Sequence, residues 1–178
     1  MIGVQYVVPV TDGIRGRWRA LPRRARAALL LYAGGFLEGT GAHVADLARG
    51  GPHAYAGFGP LPLQVFFIAL VALDPLAAVL TLRARPAGVR LAVAVMTLDV
   101  LANWYANRSW VTAHPAALLR PVGLLPITLF GLFVVATAPA LLRAVRGSAT
   151  ADLAMARLPP IRKDAARQSG PDGNGAHR

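Results

Sequence analysis

The chain has 178 residues, 55% of them hydrophobic, and it carries a formal net charge of +11. Soluble domains average about 45–50% apolar residues, so this composition favours a membrane protein. The absence of cysteine excludes disulfides, thiolate metal sites and cysteine nucleophiles. The positive charge flanks the apolar stretches, which indicates contact with anionic lipid rather than with nucleic acid. The abundance of alanine, arginine and glycine is typical of a GC-rich bacterial genome.

Residues 1–26 form a basic arm in which six arginines follow a mildly apolar start. A cleavable signal peptide has its positive charges first, so we do not expect this arm to be one. The sequence instead predicts a cytoplasmic N-terminal arm that precedes the first membrane span.

Four stretches then come close to the length of about 20 apolar residues that an α-helix needs to cross a bilayer. They lie at about 27–47, 61–82, 89–107 and 121–142. The remaining segment, 143–178, is polar and basic, and it is expected to be a largely disordered cytoplasmic tail. The sequence therefore predicts an all-α, multi-pass membrane protein with four transmembrane helices within residues 27–142.

The distribution of arginine and lysine predicts the orientation of these spans. Sixteen of the 19 basic residues lie in the arm, in the loop between the second and third spans, or in the tail. Only Arg49, Arg108 and Arg120 lie on the other side. Cytoplasmic loops carry the excess of positive charge, so both termini are predicted to be inside and the protein to lie in the cell membrane.

Three carboxylic acids fall near the middle of three different spans: Glu38, Asp74 and Asp99. At a rise of 1.5 Å per residue, all three should lie within roughly 4 Å of one plane. Asn103 follows Asp99 by four residues and therefore shares its helix face. Ionisable residues inside a membrane are costly and usually functional, so these four residues are predicted to form a buried acidic and polar layer that faces the bundle interior.

No lysine or arginine lies well inside the four stretches. Carboxylates that share a site repel one another, so the acids of the layer cannot all be ionised. Either the acids are protonated and hydrogen-bonded, or a cation sits among them. Replacing Glu38, the only glutamate of the chain, with glutamine is therefore expected to remove any pH-dependent activity while expression stays largely intact.

Some of these residues also have a purely structural interpretation. Asp74 precedes a proline, which lacks the amide donor of a helical residue and can kink the helix. A protonated Asp74 can then form a hydrogen bond with the backbone carbonyl group that loses its partner. Asp99 can form a hydrogen bond with Asn103. In the first span, Gly35 and Gly39 have the spacing that lets helices approach closely, which favours packing within the bundle over dimerisation.

A second polar group is predicted on the outer side of the membrane: His43, Asp46, His53 and His114. His43 and Asp46 are three residues apart and are therefore neighbours on the helix. The spacing of the group matches no metal motif, so interface residues or groups that titrate near neutral pH are the favoured interpretation and no metal is expected. The chain contains no GxGxxG, Walker, HExxH or nucleophile-elbow sequence, so no cofactor is expected either.

Three functions stay open. The favoured one is binding or translocation of a cation, a proton or a small amphipathic solute by the acidic layer. The second is a membrane-embedded enzyme that uses carboxylic acids for acid/base chemistry on a lipid or isoprenoid. The third is an accessory subunit whose polar face is completed by partner helices. The expected partners are accordingly membrane lipids, a small cationic or lipid-like ligand, and a homo-oligomer or larger membrane complex.

Two weak resemblances accompany these hypotheses. The string Phe36–Thr40 resembles the surroundings of the membrane-embedded glutamate of small multidrug-resistance transporters, although the later spans do not. In length and span count the chain is similar to the four-span sterol-isomerase group, without a shared motif. A likeness of layout does not imply a mechanism, so neither family's chemistry is carried over to this chain.

Overall fold

The computed structural model describes residues 10–119 and 123–156, and within these ranges it contains helices and no strands. The five α-helices are α1 (Val10–Ala20), α2 (Arg23–Gly50), α3 (Leu61–Leu82), α4 (Pro86–Ala113) and α5 (Leu124–Ala156). Three short 3₁₀ turns lie at Gly51–His53, Ala56–Phe58 and Pro115–Leu119. The predicted all-α class is confirmed.

Prolines mark the starts of the long helices. Pro22 and Pro60 precede the first residues of α2 and α3, and Pro86 is the first residue of α4. Proline is favoured there because the first amides of a helix have no intrahelical partner. Between α3 and α4 the chain reverses within Arg83–Arg85, where Ala84 adopts a φ of 48°. A connection this short makes α3 and α4 antiparallel neighbours.

Three of the helices are long and apolar enough to cross a membrane: α3, with a mean hydropathy of 2.4, α4, with 1.3, and residues 124–150 of α5, with 2.1. They contain the second and third predicted spans and residues 124–142 of the fourth, whose residues 121 and 122 lie outside the described residues. The bounds of α3 are those of the second predicted span. Although α2 has 28 residues, it is not among these helices. Its second half is interrupted by glycines and by Glu38, His43 and Asp46, so the first span stays a prediction.

The helices pack in chain order, α2 against α3, α3 against α4 and α4 against α5, and α2 also contacts α5. Tyr32 connects α2 to α5, because its buried hydroxyl group donates to the carbonyl of Val134 and lies 2.9 Å from Thr137 Oγ1. One turn further along α2, the ring of Phe36 meets that of Phe130 edge to face. The four long helices therefore enclose an interior.

Small residues allow these helices to approach closely. A side chain at Gly35 would overlap the ring of Phe130 on α5, and a Cβ atom at Gly39 would lie 2.8 Å from Asp74 Oδ2 on α3. The pair thus packs against helices of its own chain, as the sequence favours. Gly131 is equally close to α4, where a Cβ atom would lie 2.7 Å from Val100 Cγ2.

The two ends of the bundle differ in charge. We call the end formed by residues 50–60, 113–119 and 123 the loop end, and the opposite end, with α1, the start of α2 and the turn at 83–85, the arginine end. Of the arginines in the described residues, only Arg49 and Arg108 lie at the loop end. The others lie at the arginine end: Arg15, Arg17, Arg19, Arg23, Arg24, Arg26, Arg83, Arg85, Arg90, Arg143 and Arg146.

Both predicted flanking segments contain helix. Within the arm, residues 10–20 form α1, and Trp18 Nε1 donates to the carbonyl of Leu82 at 2.7 Å, which caps the end of α3. In the predicted disordered tail, residues 143–156 continue α5 because this stretch is rich in helix-forming residues and lacks proline. Residues 1–9 and 157–178, on which the rest of these predictions fall, lie outside the described residues.

The α3–α4 hairpin depends on Gly88, and we expect Gly88→Ala to unfold the protein at lower temperature. An added Cβ atom would lie 2.5 Å from the carbonyl carbon of Leu80 and from the amide nitrogen of Thr81, and a backbone cannot rotate away. Overpacking of this kind costs about 1–3 kcal/mol. Gly34→Ala is the control because nothing lies within 4 Å of its Cβ position. Thermal unfolding in detergent measures both, and equal stability of the two variants would contradict the expectation.

Candidate functional site

A cavity of about 660 Å³ lies between the four long helices. Its lining extends from Met96 near the middle of α4 to Trp110 near the loop end, a distance of about 21 Å along the helix. Toward the arginine end the interior is filled instead by buried side chains, which include Leu29, Ala78 and Val145. The cavity volume is within the range of about 300–1,000 Å³ that is usual for small-molecule sites.

The acids of the sequence analysis meet at this cavity. Glu38, Asp46, Asp74 and Asp99 all line it, and Asn103 lines it beside them. Asp74 and Asp99 are only 5% and 7% exposed. Among the described lining residues none is a lysine or arginine. The interior is therefore rich in carboxyl groups and has no fixed positive charge of its own, apart from any proton on His43.

Glu38 is placed differently from the predicted enclosed position. Its side chain is exposed, although it lines the cavity. The reason is its position on α2, because Gly35 and Gly39 occupy the contacts with α5 and α3 and so Glu38 lies between them and the exterior. Glu38 therefore lies at the rim, and Asp74 and Asp99 are the enclosed acids.

The Asp74 carboxyl group lies directly against α2. Its Oδ2 atom occupies the space that a side chain at Gly39 would take, and the same atom is 4.0 Å from His43 Nε2. Gly39 and His43 are four residues apart and so share one face of α2. The glycine thus makes room for the carboxyl group, and the histidine lies next to it one turn further along. The neighbouring Pro75, which lies inside α3, is therefore not the only structural context of Asp74.

His43 belongs to a polar chain that continues toward the loop end. Its Nδ1 atom lies 2.9 Å from the hydroxyl of Tyr55, and that hydroxyl donates to Asp46 Oδ2 at 3.4 Å. Asp46 in turn lies 3.5 Å from a guanidinium nitrogen of the exposed Arg49. Burial, together with the negative charge of Asp46, raises the pKa of Tyr55 to about 12. Tyr55 therefore remains a neutral hydroxyl group at physiological pH.

Tyr55 is held in place by aromatic neighbours. It is 2% exposed, its ring stacks on Phe67 with 5.3 Å between the centroids, and Phe58 meets it edge to face at 5.3 Å. Sequence reasoning does not find this residue, because a lone tyrosine in a glycine-rich loop carries no periodic signal. Only the fold of the loop brings Tyr55 over the cavity.

Asp99 is held within its own helix. Asn103 Nδ2 donates to Asp99 Oδ1 at 2.9 Å and to the backbone carbonyl of Asp99 at 3.0 Å. Asn107 Nδ2 in turn donates to the carbonyl of Asn103 at 2.9 Å. The hydrogen bond between Asp99 and Asn103 that the sequence allows is thus present, and the second carboxyl oxygen of Asp99 is not used in it.

The rest of the cavity wall is largely aromatic and aliphatic. Phe36, Phe67 and Phe130 line the part near the acids, and Phe58 and Trp110 line the part near the loop end. Aromatic faces carry negative electrostatic potential and attract cations at close range. Acids and ring faces in one cavity therefore favour a positively charged guest with an apolar body.

The other two histidines of the predicted outer group lie apart from this site. His53 is exposed in the first 3₁₀ turn and His114 is exposed at the end of α4, and neither is among the described residues that line the cavity. His43 and Asp46 are brought together through Tyr55, so the predicted outer group divides into two parts. Within residues 10–119 and 123–156, no three His, Asp or Glu side chains are arranged to hold a metal ion.

In comparisons with known proteins, no family model, no curated protein and no solved structure matches the chain. Its function must therefore be inferred from the cavity itself.

Proposed function

We propose that this chain is a membrane protein that binds a small organic cation with an apolar body in the acid-lined cavity, in exchange for a proton. The observation that carries the proposal is the convergence of four carboxyl groups, from α2, α3 and α4, on one ligand-sized cavity without a lysine or arginine among its described lining residues.

Electrostatics require a positive charge in this cavity. Asp74 and Asp99 are almost fully enclosed, and a buried carboxylate without a partner is strongly unfavourable. A proton satisfies this requirement when the cavity is empty, and a bound cation satisfies it when the cavity is occupied. The two compete for the same carboxyl groups, so the affinity for the cation rises with pH.

The aromatic wall selects the apolar part of the guest. Inorganic cations need several oxygen ligands at short distances, whereas an organic ammonium gains from contact with ring faces. Phe36, Phe67 and Phe130 surround the acids, and so an alkyl- or arylammonium group fits both parts of the wall.

In this proposal α2 is the fourth span. It packs against both α3 and α5 and thus lies at the same depth in the bilayer. Its polar groups His43 and Asp46 line the cavity. The arginine end is then cytoplasmic, where its guanidinium groups contact anionic lipid headgroups, and the cavity opens toward the outer side of the cell membrane.

The test is calorimetric titration of the protein in mild detergent with phenyltrimethylammonium. Because this probe is quaternary and cannot lose a proton, any proton released on binding comes from the protein. Titrations in two buffers with different ionisation enthalpies give the number of protons released. We expect release of up to one proton per bound probe, and an affinity that increases between mildly acidic and mildly alkaline pH. Absence of binding, or binding without proton release at any pH, would overturn the proposal.

The neutral analogue tert-butylbenzene separates this proposal from its main alternative. The enzyme hypothesis is favoured by the Asp74–His43 pair, an acid beside a base in an apolar cavity, and it requires a neutral lipid-like guest. If tert-butylbenzene bound in the cavity as tightly as phenyltrimethylammonium does, the enzyme hypothesis would be favoured. An accessory role is less favoured, because helices of the same chain already enclose Asp74 and Asp99.

A further inference from the structure

Cation binding alone does not require the connected contacts of the polar chain that leads away from Asp74. It begins at the carboxyl group on α3, passes through His43 on α2 and Tyr55 in the loop, and ends at Asp46 near the surface. Its members line the cavity, yet Tyr55 is 2% exposed and Asp74 5% exposed, so they contact each other more than they contact the cavity space.

The hydrogen bonds define where the protons of this chain lie. The Tyr55 hydroxyl group has one hydrogen, which it donates to Asp46 Oδ2. When this hydrogen is donated to Asp46, the Tyr55 oxygen is free to accept from His43 Nδ1 at 2.9 Å, which corresponds to the tautomer of neutral His43 that carries its proton on Nδ1. The unprotonated Nε2 atom then faces Asp74 Oδ2 at 4.0 Å. A proton on Asp74 has an acceptor directly in front of it.

We propose that Asp74, His43, Tyr55 and Asp46 form a proton relay between the enclosed acid and the loop end of the bundle. The inference rests on the proposed function, since the proton that it moves is the one that a bound cation displaces.

Each transfer along the relay is balanced. His43 Nε2 takes the proton from the Asp74 carboxyl group, while the His43 Nδ1 proton moves to the Tyr55 oxygen. The original Tyr55 hydroxyl proton moves to the Asp46 carboxylate, which releases it to solvent. The first step needs the 4.0 Å separation to shorten by about 1 Å, to hydrogen-bond distance, through rotation of the imidazole ring or the carboxyl group. The reverse sequence returns a proton to Asp74 when the cation leaves.

The surrounding charges support this direction of transfer. Besides the relay members, the charged or titratable groups beside it are Glu38 and Arg49 on α2 and Asp99 on α4, and the described cavity residues of α5 include no titratable group. Asp46 lies 3.5 Å from the exposed Arg49, so the last group of the relay is the one nearest to solvent. Because the pKa of Tyr55 is raised to about 12, the tyrosine passes a proton on without persisting as an anion.

The experiment is a rapid pH increase followed by infrared spectroscopy of the full chain in detergent, without any ligand. The carboxylic acid band of Asp74, assigned by its loss in Asp74→Asn, decays as this group loses its proton. Tyr55→Phe keeps the stacked ring and removes only the hydroxyl group. We expect it to slow the decay by about tenfold or more, which is the lower range of general acid–base effects. His43→Gln is expected to slow it similarly.

Tyr32→Phe is the matched control, because Tyr32 is a second buried tyrosine with a hydrogen-bonded hydroxyl group and is not a lining residue of the cavity. Decay in Tyr55→Phe at the wild-type rate would overturn the relay and show that water in the cavity takes the proton directly. So would equal slowing in Tyr55→Phe and Tyr32→Phe. Because no cation is present, these outcomes are independent of whether phenyltrimethylammonium binds, and a failure of the proposed function is visible separately in the titration.

Discussion

Asp74→Asn is expected to weaken the binding of phenyltrimethylammonium by about 2 kcal/mol or more, which is roughly a thirtyfold rise in the dissociation constant. Asparagine keeps the shape of the side chain and its fit against Gly39, but it supplies no negative charge. Asp74 is 5% exposed, so little water is present to screen the lost attraction. The number of protons released on binding should fall together with the affinity, because the group that exchanges its proton for the cation is absent. Calorimetric titration in two buffers measures both quantities.

Glu38→Gln is the control for this prediction, since it neutralises a carboxyl group on the same cavity that is exposed. Glu38 lies at the rim of the cavity, so its charge is less enclosed than that of Asp74 and attracts a bound guest more weakly. The free energy of binding of phenyltrimethylammonium to Glu38→Gln should differ from that of the wild type by less than about 1 kcal/mol. An equal loss in both variants would mean that the total charge of the cavity matters and that the enclosure of Asp74 does not.

The expected results for Asp74→Asn and Glu38→Gln differ from the sequence-based prediction, in which Glu38 is the essential acid. Depth along a helix can be calculated from residue number, and so the three acids could be assigned to one layer. The direction in which each one faces depends on which neighbours on its helix make the contacts with α3 and α5. On α2 those contacts are made by Gly35 and Gly39, and this cannot be derived from the hydropathy of a span.

The helices follow from local sequence to a large extent. α3 has the predicted bounds because prolines at its start and a tight turn at Arg83–Arg85 delimit one continuous apolar run. The ends of α5 and the existence of α1 are harder to predict from the sequence, because amphipathic and basic helices have a composition similar to that of disordered terminal segments. α1 is stabilised by a tertiary contact, the hydrogen bond from Trp18 to Leu82, which no local pattern indicates.

The contacts of the candidate site also divide into those that can be predicted from the sequence and those that cannot. Asp99 and Asn103 lie on one helix at a spacing of four residues, so their hydrogen bond can be anticipated. The contact between His43 and Asp74 joins two helices, and the contact between His43 and Tyr55 joins a helix to a loop. Residue spacing cannot provide such pairs without the register between the elements, which depends on tertiary packing.

Gly39→Ala is accordingly expected to impair the site while the fold is retained. The added Cβ atom would lie 2.8 Å from Asp74 Oδ2, closer than such atoms normally approach, so the carboxyl group must move away from α2. Its position beside His43 is then lost, and we expect an affinity for phenyltrimethylammonium lower by about tenfold, or 1.4 kcal/mol. Stability should not fall in parallel, because the displaced atom is at the end of a side chain and alanine favours a helix by about 0.8–1.0 kcal/mol over glycine.

Gly41→Ala on the same helix separates the two effects. Nothing lies within 4 Å of its Cβ position, so it gains the helix preference of alanine without touching the acid. Thermal unfolding and titration of both variants are compared with the wild type. If Gly39→Ala bound the probe as tightly as Gly41→Ala, the placement of Asp74 against α2 would not matter for binding. If Gly39→Ala lost both stability and affinity, Gly39 would act through packing of the bundle, and the close fit of carboxyl group, glycine and histidine would be a structural feature only.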